Sequence, residues 1–191
     1  MRPAAAIATA TSVVALLGAC VAAGEPTGTA NAGTALPQLA AGCSKLNKMP
    51  TLFPSATTVG FVRRATVKST PARSPIWPGW CGRRSWWTTY TTSSGSSVDI
   101  RVALYASAHD VGAALAEPAY GPVRVQPNGS RVRSSSSPVD VDGVPSMNTG
   151  AASAYRNLFI SSGSTASTKP VPVAAQLRIH RAIQTAFRSL R

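Results

Sequence analysis

The stretch RSWWTTYTT (Arg84–Thr92), the linker SSGS (Ser93–Ser96) and VDIRVALY (Val98–Tyr105) decide the fold. The first run is rich in aromatic and β-branched residues, which suit a pleated surface. In the last, Val98, Ile100, Val102 and Leu104 alternate with Asp99, Arg101, Ala103 and Tyr105. Period-two alternation around a Gly-containing turn predicts an antiparallel hairpin with one buried face.

Working outward, Ser107 and Asp110 have capping-box spacing at the start of a helix that carries Val111, Ala114 and Leu115 and ends at Pro118. Further strands are expected at Val123–Gln126, around Arg131–Arg133, at Val139–Val141 and at Ala154–Ser161 (AYRNLFIS), with Pro127-Asn128-Gly129 as a turn. The chain closes with a helix over Val173–Leu190. Ala175, Ile179, Ala182, Ile183, Ala186, Phe187 and Leu190 form its apolar stripe, with Arg178, Arg181, Arg188 and Arg191 off it. Upstream, Leu46, Leu52, Phe53, Val59, Phe61 and Val62 supply a short helix and one extended piece between prolines. The expected class is α+β, an antiparallel sheet with two or three helices packed on one face.

Before this domain, Met1-Arg2-Pro3 leads into an uncharged run ending Leu17-Gly18-Ala19-Cys20. One positive charge followed by a short apolar segment is the grammar of a secretory signal. A membrane-spanning helix needs about 20 strongly apolar residues; residues 3–19 are fewer and are diluted by Ala, Thr, Ser and Gly. The ending resembles the bacterial lipobox, an aliphatic residue, two small residues and a cysteine. That resemblance implies cleavage before Cys20 and a diacylglyceryl thioether, with palmitate-type acylation, at its sulfur. Two acyl chains anchor stably where one holds only marginally. The layout is then a signal peptide over 1–19, the lipidated cysteine with a flexible tether over 20–42, and an extracytoplasmic domain over 43–191. Small, polar and Pro/Gly residues without periodicity make the tether a spacer.

Two cysteines remain, Cys43 and Cys81, and an exported compartment favours a disulfide between them. Closing a loop of about 39 residues stabilises by roughly 4 kcal/mol on the chain-entropy account. Two cysteines and distant histidines give no zinc spacing. Asp140-Val141-Asp142-Gly143 lacks the later ligands of a calcium loop. No cofactor or metal is expected.

The whole chain is similar to small actinobacterial cell-envelope lipoproteins. The shared outline is a lipobox, a polar tether, Cys43, Cys81 just before Trp86, a Val141-Asp142-Gly143-Val144 turn, a late strand and a final helix. Some such domains belong to receptor-kinase sensors. The resemblance implies a membrane-anchored, extracytoplasmic place and carries no catalytic residue with it.

The balance is basic, with 19 Lys+Arg against 6 Asp+Glu and arginine outnumbering lysine 15 to 4. Such a field attracts anionic lipid, wall polymers or nucleic acid. Nucleic acid is set aside because no recognition motif accompanies the charge and export removes the chain from it. Between Ser44 and Val98 there are eight basic residues and no acid, and all four tryptophans fall within 77–87. Trp77, Trp80, Arg83, Arg84, Trp86 and Trp87 are therefore the candidate surface for an envelope protein, an anionic wall polymer or an amphiphile. Competing with that reading, Trp86 and Trp87 are adjacent on a strand and point to opposite faces, so one belongs to the core and the other covers a loop. The final helix likewise offers a basic amphipathic face to membrane, or a core face with solvated arginines opposite.

For catalysis, His109 and His180 are the only histidines. A Ser-His-Asp set drawing on Asp110, Asp140 or Asp142 lacks a Gly-x-Ser-x-Gly elbow, and six acids leave little for paired-carboxylate chemistry. The expectation is a non-enzymatic binding or accessory module, with a sensor domain of a membrane complex and a small hydrolase as alternatives. A histidine within reach of a serine in a cleft would point to the hydrolase.

Overall fold

The structure is a computed structural model and describes residues 41–71, 80–116, 121–166 and 169–190. The expected leader, Cys20, all but the last two residues of the expected tether (20–42) and Trp77 lie outside the described residues, as do Pro118 and Arg191. Among the described residues, eight strands form one antiparallel sheet: β1 Arg63–Arg64, β2 Lys68–Pro71, β3 Trp80–Thr91, β4 Ser97–Tyr105, β5 Arg124–Val125, β6 Arg131–Val141, β7 Val144–Tyr155 and β8 Leu158–Ala166. Their order is β1-β3-β4-β8-β7-β6-β5, and β2 pairs with β3 beside β1.

The expected hairpin is β3 and β4, in the register Trp86 opposite Val102 and Tyr90 opposite Val98. Val98, Ile100, Val102 and Leu104 are buried, as the alternation requires. Near its start β3 bulges, so that the pairing passes from Trp80–Tyr105 directly to Ser85–Ala103. Gly82 sits in this bulge at φ +60, where a side chain would also meet Leu46. The bulged stretch includes Cys81, which is disulfide-bonded to Cys43 with Cα atoms 5.4 Å apart.

Two strand expectations are corrected. Val139–Val141 is not separate: it ends an eleven-residue strand that runs through Ser134–Ser137 from Arg131. Four serines carry little strand propensity of their own, and here the ladder to β7 supplies it. Likewise Ala154–Ser161 is not one strand. Tyr155 pairs with Leu158, and the chain reverses at Arg156, held at φ 54, and Asn157. Asn157 fixes that turn by donating to the carbonyls of Gly42 and Tyr105 at 2.7 and 2.8 Å. The turn between β6 and β7 is the expected one, with Asp142 and Gly143 both at positive φ. Two consecutive left-handed residues match the twist of a tight hairpin.

Among the described residues, two α-helices accompany the sheet, α1 (Ala108–Leu115) and α2 (Val173–Ser189). Ser107 caps α1, accepting from the Asp110 amide at 3.2 Å. The segment before β1 forms three 3-10 turns, at Ala41–Cys43, Leu46–Leu52 and Thr57–Val59, in place of one helix. Pro50 inside the second explains why it stays short. Leu52, Phe53, Val59 and Phe61 are buried as expected, whereas Val62 is 63% exposed.

The class is α+β, an antiparallel sheet with helices packed on it. One face carries α2 and the 3-10 turns over the main core, which includes Met49, Leu52, Trp86, Tyr90, Ile100, Leu158, Ile160, Ile179, Ile183 and Phe187. The smaller α1 lies on the other face. Its Val111, Ala114 and Leu115 pack on Ala103, Tyr105, Ala152 and Ala154, the residues of β4 and β7 whose side chains alternate with those of the main core.

With so few acids, the basic residues fasten the fold through carbonyl oxygens. Lys45 donates to Leu190 O at the end of α2 and lies 5.4 Å over the Phe187 ring. A cation there complements the helix dipole. Arg64 donates to the carbonyls of Phe53 and Pro54, and Arg133 holds Leu115 O at the end of α1. Part of the basic excess is thus spent on loop carbonyls.

Candidate functional site

The tryptophan cluster does not form one surface. Trp86 is a correction: it is only 6% exposed and belongs to the main core. Trp87 points to the opposite face, where it is half-buried, donates to Thr70 Oγ1 at 3.0 Å and has Lys68 Nζ 5.3 Å from its ring. Trp80, across the bulge, stacks on Tyr105 with ring centroids 6.2 Å apart. Its buried Nε1 has no hydrogen-bond partner among the described residues. Arg84 is exposed; nothing is described of the Arg83 side chain. Of the expected surface, Trp87 and the exposed Arg84 stay outside the core, and two residues not foreseen join Trp87: Lys68 over its ring and Arg101 opposite it on β4.

The densest polar chemistry lies under α2. Gln176, His180 and Gln184 recur every four residues, so they share one side of the helix. They meet Thr149 and Ser153 of β7 and Ser162 of β8, and all six are buried. The hydrogen bonds run in a single direction. Asn128 Nδ2 donates to Gln184 Oε1 at 2.8 Å, and Gln184 Nε2 donates to Ser153 Oγ at 3.2 Å. Ser162 Oγ donates to Gln176 Oε1 at 2.6 Å. The Ser162 oxygen is therefore the acceptor facing His180 Nε2, 3.0 Å away, and that nitrogen carries the proton. The bare Nδ1 then accepts from Ser153 Oγ at 2.9 Å. Gln176 Nε2 completes the chain by donating to Thr149 Oγ1 and to Val171 O, each at 2.9 Å.

Burial pushes the His180 pKa down to about 3. A neutral imidazole with one donor and one acceptor is what this arrangement can hold. The array joins a histidine to serines, as a hydrolase would, but differs in three ways. Ser153 and Ser162 are covered by the helix; His180 is too weak a base near neutrality; and no described carboxylate bonds to the ring. Asp140 accepts from the Gly143 amide, Asp110 from Ser107, and Asp99 from Thr89. His109 is exposed on α1. Among the described residues, no group of His, Cys, Asp and Glu could hold a metal ion.

Sequence reasoning singled out His180 but missed Gln176, Gln184, Ser153 and Ser162. The available signal was the four-residue spacing of polar side chains beside the apolar stripe of α2, together with small and hydroxylated residues at alternate positions, Thr149, Ala151 and Ser153 in β7 and Ser162 and Ser164 in β8.

At the margin of this network, Gln126, Pro127, Asn128, Arg181 and Thr185 line an open groove of about 430 Å³ between the β5–β6 turn and α2. The turn is held by bonds from the Gln126 amide to Ser130 O at 2.8 Å and from the Gly129 amide to Gln126 O at 2.9 Å. Asn128 Oδ1 accepts from both the amide and the hydroxyl of Ser130. A void of about 10 Å³ sharing Gln126 and Arg181 with the groove reaches His180.

Among the described residues no helix is long and apolar enough to cross a membrane. Neither a protein-family model nor a curated protein matches the chain. Among solved structures, the chain is similar to the crystal structure of the extracellular domain of PknH from Mycobacterium tuberculosis, with a TM-score of 0.52 and 9% sequence identity. The likeness covers 75% of this chain and 96% of that one, and at this identity what the two share is the fold.

Proposed function

We propose that the chain is an exported lipoprotein, held on the extracytoplasmic face of the cell membrane through Cys20. Its α+β domain serves as a non-enzymatic binding or accessory module of the envelope. The observation that carries this reading is the use of the cysteines. Cys43 and Cys81 are joined, which suits an oxidising compartment and leaves Cys20, at the end of the leader, as the remaining thiol for lipid. The fold shared with an extracellular domain supports the same placement and favours, as a second reading, a sensor or accessory domain of a membrane complex. The covered serines and the weakly basic His180 argue against a hydrolase. Its partners in this reading are the membrane through lipid, together with an envelope protein, an anionic wall polymer or an amphiphile.

The test is metabolic labelling with a palmitate analogue. The native chain should take up label and run at the processed size, while Cys20→Ser should take up none and accumulate as precursor. Equal labelling of the two would overturn the lipid anchor.

A further inference from the structure

We propose that the groove between the β5–β6 turn and α2 is a binding site for a small molecule bearing a phosphate or carboxylate group. This deepens the reading of the domain as a binding module and does not depend on lipid at Cys20. Three side chains with unused polar capacity converge there. The Arg181 guanidinium has no carboxylate or carbonyl partner among the described residues, the Gln126 side-chain amide makes no hydrogen bond among them, and the Thr185 hydroxyl is likewise unengaged. All three line the same groove, with the Pro127 ring as an apolar wall.

What gives the feature its weight is that Arg181 lines a concave surface. Lys45, Arg64 and Arg133 are each committed to backbone carbonyls. Arg181, on α2 beside a concave surface, is not. Asp99, Asp110, Asp140 and Asp142, the acids in the described part of the domain, all lie outside the lining. A cation without a local counter-charge, flanked by an amide and a hydroxyl, is complementary to an oxyanion. The volume falls in the range of small-molecule sites, roughly 300–1,000 Å³.

The groove is also held in shape from behind. Asn128 on its wall is bonded to Gln184 and Ser130, and Gln184 to Ser153 in the sheet. The wall facing Arg181 is therefore tied through side-chain amides to β7, and little ordering remains to be done on binding. Arg188, exposed on the same helix but outside the groove, provides an internal control for diffuse charge.

The experiment is isothermal titration of the full chain in an uncharged detergent with glycerol 3-phosphate and, separately, glucuronate. One of these probes should bind saturably at one site per chain. Arg181→Gln should weaken that binding by about 10- to 100-fold, the scale of a lost charge-assisted hydrogen bond, with its melting temperature unchanged. Arg188→Gln should leave the affinity within about twofold. If phosphatidylglycerol vesicles displace the bound probe, the site stands with a lipid headgroup as its source; if they do not, it stands with a soluble ligand. Absence of saturable binding by either probe would overturn the site. Equal weakening in Arg181→Gln and Arg188→Gln would also overturn it, since diffuse charge would then suffice.

Discussion

Helix α2 turns two neighbouring rows of side chains toward the sheet, and they are opposite in chemistry. Ile179, Ile183 and Phe187 enter the apolar core with Trp86, Tyr90 and Ile100. One step around the helix, Gln176, His180 and Gln184 enter a layer of serine and threonine hydroxyls. Each row recurs every four residues, and each is buried. The apolar row gains from leaving water without regard to direction. The polar row gains little net energy per bond, and losing any partner strands a buried group. The first should therefore set how strongly α2 is held, and the second where it is held. A slide of one residue would break the hydrogen-bond chain while leaving much of the apolar contact.

The largest expected effect lies in the apolar row. Phe187→Ala should cost about 3–5 kcal/mol, as for a large buried aromatic, read by denaturant titration. A cost near zero would mean that α2 is not part of this core. Next comes the tie between the two ends of the 43–81 segment. Reducing Cys43–Cys81 should cost roughly 4 kcal/mol on the loop-entropy account, seen as a lower melting temperature. Freely alkylatable Cys43 and Cys81 in protein taken from the envelope would contradict the bond itself.

The polar row should show itself through pH. In the unfolded chain His180 titrates near its ordinary 6.5, and in the fold only near about 3. Between those values the unfolded chain binds a proton that the folded one refuses. Its contribution to stability is therefore complete above about pH 7 and is lost as pH falls from about 6.5 toward about 3. From pH 7.5 to pH 5 the loss is about 2 kcal/mol. His180→Gln should be less stable at pH 7.5 yet lack that component of the slope, and an unchanged slope would contradict the assignment. The smallest effect belongs to the helix's outer side. Arg188→Ala should shift stability by less than about 0.5 kcal/mol, and a larger change would reveal a contact that its exposure does not suggest.

The same two rows show what the sequence could and could not convey. Val98–Leu104 and the stripe from Ala175 to Leu190 were legible because large apolar side chains at a fixed period have one economical destination. The β7 and β8 strands were harder. Beside Leu158 and Ile160, their inner faces carry Thr149, Ala151, Ser153, Ser162 and Ser164, and small or hydroxylated side chains read locally as turn or linker. Only the partner helix, with glutamines and a histidine long enough to reach them, makes that surface a packing face. The tryptophan cluster was legible as a feature, and its division between two faces followed from strand geometry. The groove was not legible, since it joins Gln126–Asn128 to Arg181 and Thr185 through the closure of the sheet. Cys20 stands apart: its reading rests on the leader's local pattern and on the pairing of the other two cysteines.

Under α2, His180 is a neutral, fully bonded member of a structural clasp. Long-range proton–nitrogen NMR of the imidazole tests this directly. The expected result is the neutral tautomer with its proton on Nε2, unchanged from pH 7.5 down to pH 5. An imidazolium, a titration near pH 6.5, or a proton on Nδ1 would contradict it.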